Sequence, residues 1–455
     1  MYKNRTIAAV STPVGVGGIS VIRMSGEDAA VIANRVFKGA DLTAVPSHTV
    51  HYGHITDKDG RVIDEVLVTV MLAPKTFTRE NVVEIGCHGG SAVTAAVLRA
   101  VISAGAYPAE PGEFTKRAFM NGRMDLSQAE AVIDMINAKN ELARRNAVSQ
   151  LGGRLSEKIK AVRDALINLS ARMQVLIDYP DEELEDITTA DIEAECRACR
   201  EKIEKLLKSA DSGRLLREGI RTVIAGKPNV GKSSLLNYLM DEDRAIVTDI
   251  AGTTRDALEE SISIRGIPLL LVDTAGIRDT EDTVERIGVE RSKRYLDTAD
   301  LVLVVLDASA PPDENDMEVL KASEEKKRII LFNKTDISDT GKYYGAMPEL
   351  EGAIGISAKT GEGIDELADE IERLCGIDEL DTDNGAVITN LRHKAALAAA
   401  RNALLEAENA AAAGMPSDIV SIDISAAADS LGEITGETVS ESVVSEIFAN
   451  FCVGK

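Results

Sequence analysis

The chain has 455 residues, of which 44% are hydrophobic, and it carries a net charge of −24 at pH 7. This length allows about three domains, each able to bury a core of its own. No apolar run approaches the roughly 18 residues that a membrane span needs, and Ser11 and Pro13 interrupt the apolar start of the chain. We therefore predict a soluble, cytoplasmic protein with no secretory signal and no membrane contact.

The charge is distributed unevenly along the chain. Residues 1–118 contain 12 Lys and Arg against 11 Asp and Glu, whereas residues 119–455 contain 39 against 64. The acidic majority argues against a protein that grips nucleic acid with its own surface charge. An anionic ligand would more easily approach the first third of the chain.

The five cysteines are few and scattered, which argues against a disulfide framework. Cys196 and Cys199 form a C-x-x-C, but they lie in the helical run 191–208 without a second Cys or His pair nearby. We interpret them as two helical side chains one turn apart rather than as zinc ligands or a redox pair.

Hydrophobic patterns separate an N-terminal segment from a helical one. Residues 1–118 mix short apolar alternations with a helix-like stretch, which indicates an α+β domain. Residues 119–215 carry apolar residues at three- and four-residue spacing, which is typical of long amphipathic helices. Ser127 and Glu130 have the spacing of a capping box near the start of these helices.

The second half of the chain changes pattern twice. Residues 216–378 alternate short apolar strands with helical segments, which predicts a doubly wound, mostly parallel sheet. Residues 379–455 return to the helical pattern. We therefore predict a multidomain α/β protein in which one helical domain is interrupted by an inserted domain.

The inserted domain contains a phosphate-binding motif. The segment GKPNVGKS, residues 226–233, follows a predicted strand and opens a helix, as a Walker A loop requires. Its glycines let backbone N–H groups curl around phosphate oxygens. Lys232 reaches the β- and γ-phosphates, and Ser233 offers its hydroxyl to Mg²⁺.

Two further segments complete the predicted phosphate site. DTAG, residues 273–276, ends a predicted strand, so Asp273 can lie beside the metal and the Gly276 amide can face the γ-phosphate. Thr254, in the loop TDIAGTTRD, is the expected second hydroxyl on Mg²⁺. A loop that closes only around the γ-phosphate is an order–disorder switch.

The motif NKTD, residues 333–336, predicts the base. Guanine presents adjacent N1–H and N2–H donors that one carboxylate can accept together, and adenine has no such pair, so Asp336 selects guanine. SAK, residues 357–359, adds the backbone N–H of Ala358 for guanine O6. The predicted nucleotide is GTP, and such a site can reject an analogue lacking those donors by on the order of 10⁴-fold.

The residue after DTAG is Ile277, where many small GTPases carry the glutamine that orients the attacking water. The acids that follow, Glu281, Asp282 and Glu285, could orient water or could form an exposed acidic loop. The predicted GTP-binding residues are Asn229, Val230, Gly231, Lys232, Ser233, Ser234, Thr248, Asp249, Ile250, Ala251, Gly252, Thr253, Thr254, Asp273, Thr274, Ala275, Gly276, Asn333, Lys334, Asp336, Ser357, Ala358 and Lys359.

The chain resembles the MnmE (TrmE) family of tRNA-modification GTPases, which belong to the TrmE-Era-EngA-YihA-Septin-like GTPases. The resemblance rests on TPVGVGGISVIRMSG, DYPDEE, GKPNVGKS, GTTRD, DTAG and the terminal FCVGK, and it covers essentially the whole length. It implies that residues 1–118 form a tetrahydrofolate-binding and dimerisation domain. It also implies that the inserted domain is a Ras-like GTPase domain within a helical domain.

The resemblance also implies an activity and partners. The family acts with the FAD-containing protein MnmG (GidA), as a heterotetramer, on C5 of the wobble uridine of certain tRNAs. The group added is an aminomethyl or carboxymethylaminomethyl group. Family members form homodimers through their N-terminal domains, and their GTPase domains meet when K⁺ and GTP are bound.

The catalytic cation is likewise implied by the resemblance. The positions that match the family's K⁺ site are Asn229, Thr248, Ile250 and Thr253. K⁺ occupies the place that an arginine finger takes elsewhere, a role worth about 10³–10⁵ in rate. The family's water-orienting acid matches Glu285, which would act together with Lys232.

The resemblance implies a one-carbon donor, 5-formyl- or 5,10-methylene-tetrahydrofolate, at the N-terminal domain. The matching positions are Arg23, Glu80, Arg123 and Lys455. Cations suit the glutamate-tail carboxylates of a folate, and a carboxylate suits the donor edge of a pterin. Arg123 stands where some members carry a lysine, so the charge is kept but the geometry is not.

Cys452 has two interpretations. Its position next to Lys455 suggests a reactive thiol close to substrate, and the simpler alternative is a buried helical cysteine. The terminal CVGK is a poor prenylation box, because Gly454 is not aliphatic and Lys455 is an unsuitable final residue.

Two other functions compete with wobble-uridine modification. A GTP-dependent ribosome-assembly or RNA-binding factor can carry the same nucleotide motifs, but it would need a basic RNA-binding appendage, and the segment after the GTPase domain is helical and acidic. A folate-dependent aminomethyl transferase with an acquired regulatory domain differs mainly in whether this chain does the carbon chemistry alone.

Overall fold

A computed structural model of the protein describes residues 5–13, 15–138, 140–178, 188–244, 259–272, 298–338, 350, 352–377 and 386–455. The chain divides into two compact units. The first unit comprises Met1–Ile136, Gln150–Asn168 and Ser425–Lys455, and the second comprises Asn137–Ser149 and Leu169–Ile424.

The described residues form strands and helices in both units. The strands are β1 Ile7–Val10, β2 Ile19–Ser25, β3 Phe37–Lys38, β4 Thr49–Thr56, β5 Val62–Met71, β6 Val82–His88, β7 Tyr107–Pro108, β8 Ile220–Ala225, β9 Glu259–Ile264, β10 Ile267–Val272, β11 Leu301–Asp307, β12 Arg328–Asn333 and β13 Ile354–Ile356. The helices are α1 Ala29–Val36, α2 Ser91–Ser103, α3 Glu113–Met120, α4 Leu126–Asn137, α5 Glu141–Leu151, α6 Arg154–Asp178, α7 Thr189–Lys208, α8 Ala210–Glu218, α9 Lys232–Arg244, α10 Glu314–Ala322, α11 Ile364–Cys375, α12 Leu391–Ala412, α13 Ser417–Thr435 and α14 Glu441–Ala449.

The first unit is built on a seven-stranded sheet in the order β3-β4-β5-β6-β2-β1-β7. Its strands pair antiparallel, except that β1 and β7 are parallel. Side chains alternate between faces along each strand, so Val66, Val68 and Val70 of β5 are buried in a core shared with α1 and α2. This confirms the predicted N-terminal α+β domain.

The end of the chain packs against the N-terminal sheet. Ser11 donates a hydrogen bond of 3.0 Å to the carbonyl of Gly454. Gly454 has φ +96°, and a Cβ at this position would lie 2.2 Å from the carbonyl oxygen of Val10. Only glycine fits this turn, and the turn sets where the terminal Lys455 lies.

The helical part of the first unit has its own apolar core. Phe448 of α14 is 1% exposed and lies in a cluster with Leu126, Phe451 and Val444. The ring centres of Phe448 and Phe119 are 6.3 Å apart. Helix α14 is therefore held to α3 and α4 by aromatic and aliphatic packing.

The start of α4 differs from the predicted capping box. Ser127 is buried inside the helix, where its hydroxyl contacts the hydroxyl of Ser156 at 2.9 Å. Asp125 accepts the backbone N–H of Gln128 at 3.1 Å, and the Gln128 amide oxygen accepts the N–H of Asp125 at 3.0 Å. The observed capping box, Asp125 with Gln128, therefore begins two residues before the predicted one. The prediction was wrong because Asp caps a helix as well as Ser does.

The second unit contains long paired helices as well as a sheet. Helices α7 and α12 pack along one another, and Arg200 of α7 donates to Glu408 of α12 at 2.7 Å. Cys196 and Cys199 are buried on the same face of α7, as the helical interpretation predicted. None of the described helices is long and apolar enough to cross a membrane.

The second sheet has the strand order β13-β12-β11-β8-β10-β9, and all its pairs are parallel except β9 with β10. Strand β11 shows how it is covered: Leu303 and Val305 belong to a core with α9 and α11, while Val302 and Val304 belong to a second core with α10. Helices on both faces are what a doubly wound sheet requires. The predicted architecture is confirmed.

Replacing Phe448 with alanine should lower the free energy of unfolding of the first unit by about 3–5 kcal/mol, because the substitution leaves a cavity in a closed core. Val443 lies on the exposed side of the same helix, so Val443→Ala should cost less than about 1 kcal/mol. Urea unfolding followed by circular dichroism measures both. Equal midpoints would contradict the role of this core.

Candidate functional site

The phosphate-binding segment lies between β8 and α9, at the carboxyl edge of the second sheet. Asn229 and Gly231 both have positive φ, at 65° and 100°. A Cβ on Gly231 would lie 2.1 Å from the Nδ2 atom of Asn333. The glycine is therefore required both by its backbone conformation and by the close approach of the NKTD motif.

Lys232 is the first residue of α9 and points back into the preceding turn. Its Nζ donates hydrogen bonds of 2.8 Å to the carbonyls of Gly226 and Lys227. Burial lowers the pKa of this ammonium group. A lysine held by two neutral carbonyls keeps a strong attraction for an anion at the helix N-terminus.

Asn333, at the end of β12, joins three motifs. Its amide is 3% exposed. Nδ2 donates to the carbonyl of Val230 at 2.8 Å, and Oδ1 accepts the backbone N–H of Ala358 at 2.9 Å. One side chain thus fixes both the phosphate-binding turn and the SAK loop to the central sheet.

The other residues of NKTD and SAK form a second set of contacts. Lys334 donates to the carbonyl of Asn229 at 3.0 Å and to Asp307 Oδ2 at 2.6 Å. Ser357, which is fully buried, donates to Asp336 Oδ1 at 3.1 Å. Although burial opposes it, hydrogen bonds from Lys334 and Ser309 lower the pKa of Asp307. The hydrogen bond from Ser357 orients Asp336 beside the SAK loop.

The remaining predicted GTP-site residues fall into two sets. Ser233 and Ser234 lie in the first turn of α9, and Lys359 is exposed just after Ala358. The predicted switch, DTAG and water-orienting residues lie outside the described residues: Thr248, Asp249, Ile250, Ala251, Gly252, Thr253, Thr254, Asp273, Thr274, Ala275, Gly276 and Glu285.

The phosphate-binding turn is also anchored by an ion pair that no sequence motif predicted. Lys227 Nζ lies 2.7 Å from Asp316 Oδ2 and 2.9 Å from Asp313 Oδ2. These two hydrogen bonds raise the pKa of Lys227, and the bond with Asp316 makes the larger contribution. Asp313 and Asp316 form the capping box of α10. The D-x-x-D spacing was the available signal for the cap, but nothing local indicated the lysine.

Two of the four predicted folate residues, Arg23 and Arg123, lie over one aromatic ring in the first unit. The guanidinium carbon of Arg123 lies 4.7 Å from the ring centre of Phe77, and that of Arg23 lies 5.9 Å from it. Arg23 also pairs with Glu84 at 2.7 Å and donates to the carbonyl of Gly454 at 3.5 Å. Arg23 therefore connects the C-terminal turn with the residues around this ring.

Two cavities meet at Phe77 and Arg123. The smaller, of about 280 Å³, also has Lys455 in its wall, and the larger measures about 430 Å³. The smaller cavity is lined by Phe77, Arg123, Met124, Gln128, Val132, Met135, Ile136, Leu151 and Lys455. The larger cavity is lined by Met71, Pro74, Lys75, Thr76, Phe77, Arg79 and Arg123.

Glu80, the fourth predicted folate residue, does not line either cavity. Its Oε2 accepts the hydroxyl of Ser25 at 2.7 Å and lies 3.1 Å from Nη1 of Arg117. Arg117 is also paired with Glu113 at 2.8 Å. In this arrangement the Glu80 carboxylate already has partners within the chain.

Cys452 is exposed and lies in the turn after α14, which rules out the alternative of a buried helical cysteine. The reactive thiol stays a prediction. The helix ends at Ala449, and the carbonyl of Cys452 accepts the N–H of Gly112 at 3.3 Å. The other four cysteines are buried. Burial raises the pKa of Cys196 to about 12 and that of Cys375 to about 11.

Because Cys452 is exposed and the other four cysteines are buried, we expect one reactive thiol in each native chain. At pH 8 DTNB should modify Cys452, while burial and raised pKa values leave the other thiols protonated and shielded. Cys452→Ser should abolish this fast reaction, and denaturation should release all five thiols of the wild type. Fast labelling of the Cys452→Ser variant would contradict the assignment.

Comparisons with known proteins agree with the site's chemistry. The profile of the GTP-binding protein TrmE N-terminus matches residues 6–123, and that of the MnmE helical domain matches residues 126–452. The tRNA modification GTPase MnmE of Lactobacillus delbrueckii subsp. bulgaricus is 50% identical over 99% of this chain and 98% of its own length. That of Acetivibrio thermocellus is 51% identical over the full length of both.

Among solved structures, Era of Aquifex aeolicus bound to GDP·AlF₄⁻ is 30% identical over 41% of this chain and 67% of its own, with a TM-score of 0.28. At that score the likeness adds nothing to the assignment. Full-length identity near one half, with both domain profiles matched in order, is sufficient. The chain belongs to the MnmE (TrmE) family, and it is a GTPase that takes part in tRNA modification.

Proposed function

We propose that this GTPase uses K⁺-stimulated hydrolysis to drive modification of C5 of the wobble uridine of certain tRNAs. It acts with MnmG and a tetrahydrofolate one-carbon donor, and the product carries an aminomethyl or carboxymethylaminomethyl group. The observation that carries the proposal is the Asn333 bridge from the phosphate-binding turn to the SAK loop, in a chain that matches the family over its whole length.

The nucleotide roles follow from chemistry at the carboxyl edge of the second sheet. Lys232 would neutralise the β- and γ-phosphates, and Ser233 would offer its hydroxyl to Mg²⁺ together with Thr254. Asp336 would accept the two guanine N–H donors, and Ala358 would donate to O6. The contact between Ser357 and Asp336 supports this, since it holds the carboxylate in place without a competing cation.

Asp336→Asn should shift nucleotide preference from GTP towards XTP. The amide can no longer accept both guanine donors, while xanthine offers an acceptor at position 2 instead. GTP affinity should fall by on the order of 10²-fold or more, because the buried donors of the base lose their partner. Competition binding with a fluorescent GTP analogue measures this. An unchanged GTP-to-XTP ratio would refute the assigned base selector.

The proposed K⁺ site combines Asn229 with Thr248, Ile250 and Thr253. Asn229 is the described member of this set, and its positive φ and the Lys334 hydrogen bond to its carbonyl fix the backbone at that point. A cation there would supply positive charge to the transition state, and Glu285 would orient the attacking water. Ile277 cannot provide that hydrogen bond, because its side chain has no polar atom.

GTP hydrolysis should be at least about ten-fold faster in KCl than in NaCl at equal ionic strength, because the smaller ion does not fit a site built for K⁺. Glu285→Gln should lose most of the rate in KCl while GTP binding is retained. Steady-state phosphate release measures the rates, and the same Glu285→Gln protein serves in both salts as the background control. Equal wild-type rates in both salts would remove K⁺ from the mechanism.

The proposed folate site lies in the first unit around Phe77. Arg123 and Lys455 share the smaller cavity, and no Asp or Glu lines either cavity. Arg23 lies over the same ring, with its charge paired to Glu84. Such an array favours an anionic, partly aromatic ligand. Glu80 would face the pterin's donor edge only if its present contacts with Ser25 and Arg117 are shared or exchanged.

The proposed homodimer has a suitable surface on the N-terminal sheet. Val50, Tyr52 and Leu67 are each more than half exposed, and Tyr52 pairs with Leu67 in the register of β4 and β5. An exposed apolar patch on a sheet face is typical of an interface between subunits. MnmG and tRNA are proposed as partners on the basis of family membership.

A further inference from the structure

The larger cavity of the first unit is strongly positive. Lys75, Arg79 and Arg123 contribute three cations to its wall, and none of its lining residues is acidic. Residues 1–118 as a whole are close to neutral. The wall of this cavity is therefore more positive than the segment 1–118 taken as a whole.

These three cations have no carboxylate partners among the described residues. Arg79 donates to the carbonyl of Asn121 at 3.0 Å, and Arg123 donates to the carbonyl of Phe77 at 2.7 Å. Burial, followed by the like charge of Arg79, lowers the pKa of Arg123. By contrast, Arg23 and Arg117 each pair with a glutamate. The cavity thus presents oriented but uncompensated charge.

The backbone at this place is also unusual. Arg79 has φ +60°, a conformation that non-glycine residues seldom adopt. The segment is fixed by the Ser25 hydroxyl, which contacts Thr78 at 2.6 Å and Glu80 at 2.7 Å. Such strain is kept where a side chain must be presented in one direction, and here the guanidinium lines the cavity.

The two cavities are of unequal size and share a wall. The smaller, at about 280 Å³, is slightly below the range of about 300–1,000 Å³ for drug-sized ligands. A folate placed at Phe77 would extend beyond it. Arg123 and Phe77 line both cavities, so the two cavities are adjacent at these residues.

We propose that the larger cavity binds the γ-linked oligoglutamate chain of the folate, so that this site prefers polyglutamylated donors. The inference rests on the proposed folate site. Each added glutamate brings one carboxylate, which matches an unpaired ammonium or guanidinium in the cavity wall. Lys75, whose side chain is exposed, would meet carboxylates beyond those of the first glutamate.

RNA phosphate is the competing anion for this cavity. Its walls include Met71 and Pro74, and the near-neutral surroundings lack the extended basic stripe that tracks a nucleic-acid backbone. A short flexible polycarboxylate can pair with the three cations of this open cavity, whereas an RNA backbone needs a longer basic surface.

The test is calorimetric titration of the full-length protein with 5-formyltetrahydrofolate as monoglutamate and as pentaglutamate. The wild type should bind the pentaglutamate at least about five-fold more tightly, a ratio expected from one or two partly exposed charge pairs. Lys75→Ala should remove most of this ratio and leave monoglutamate affinity within about two-fold. Lys58→Ala, at an exposed lysine in the turn between β4 and β5, is the matched control and should keep the ratio.

Lys75→Glu provides a second variant, in which the pentaglutamate should bind no better than the monoglutamate. Equal wild-type affinities for both ligands would overturn this inference and leave the folate site standing. Failure of the wild type to bind either ligand would overturn both proposals. If Lys75→Ala weakens binding of tRNA but keeps the chain-length ratio, the cavity serves RNA phosphate and the inference is wrong.

Discussion

The side chain of Asn333 is the interaction on which the nucleotide site depends. A buried amide whose oxygen and nitrogen both have backbone partners fixes two loops at once, because neither loop can move without leaving a buried polar group unsatisfied. Such a loss costs about 1–3 kcal/mol for each group. The strand β12 that carries Asn333 lies between β11 and β13 in a parallel sheet, and its side chains pack in the core, so the bridge is anchored in the packed sheet of the second unit.

A second constraint holds the C-terminal residues of the first unit against its first strand. The terminal residues pack on β1, and a glycine is required at position 454 because the carbonyl of Val10 lies where a side chain would begin. This contact brings Lys455 into the wall of a cavity that Phe77 and Arg123 also line. A ligand site can therefore combine residues from the first third of the chain with its last residue.

Five described cations near the two proposed sites fall into two groups that differ in their partners. Lys227, Arg23 and Arg117 are paired with carboxylates and hold structure together. Lys232 and Arg123 are instead held by neutral carbonyls, which orient them without cancelling their charge. The second arrangement leaves an electrostatic attraction available to an incoming anion. Both proposed ligands, a nucleoside triphosphate and a folate, are anions. They would supply the negative charge that Lys232 and Arg123 do not receive from a carboxylate of the protein.

The sequence by itself determined the order of the domains, the nucleotide class and the parallel sheet, because these depend on local periodicity and on motifs whose residues act within a few positions of one another. It also located Cys196 and Cys199 on one helical face. It misplaced the cap of α4, since Asp125 and Ser127 have similar local preferences, and it left open the burial of Cys452. Only the tertiary structure decided that Lys227 is held by Asp316, that Glu80 pairs with Arg117, and that Lys455 and Arg123 line one cavity. Those contacts join residues dozens to hundreds of positions apart, and their geometry is fixed by packing, which no local pattern encodes.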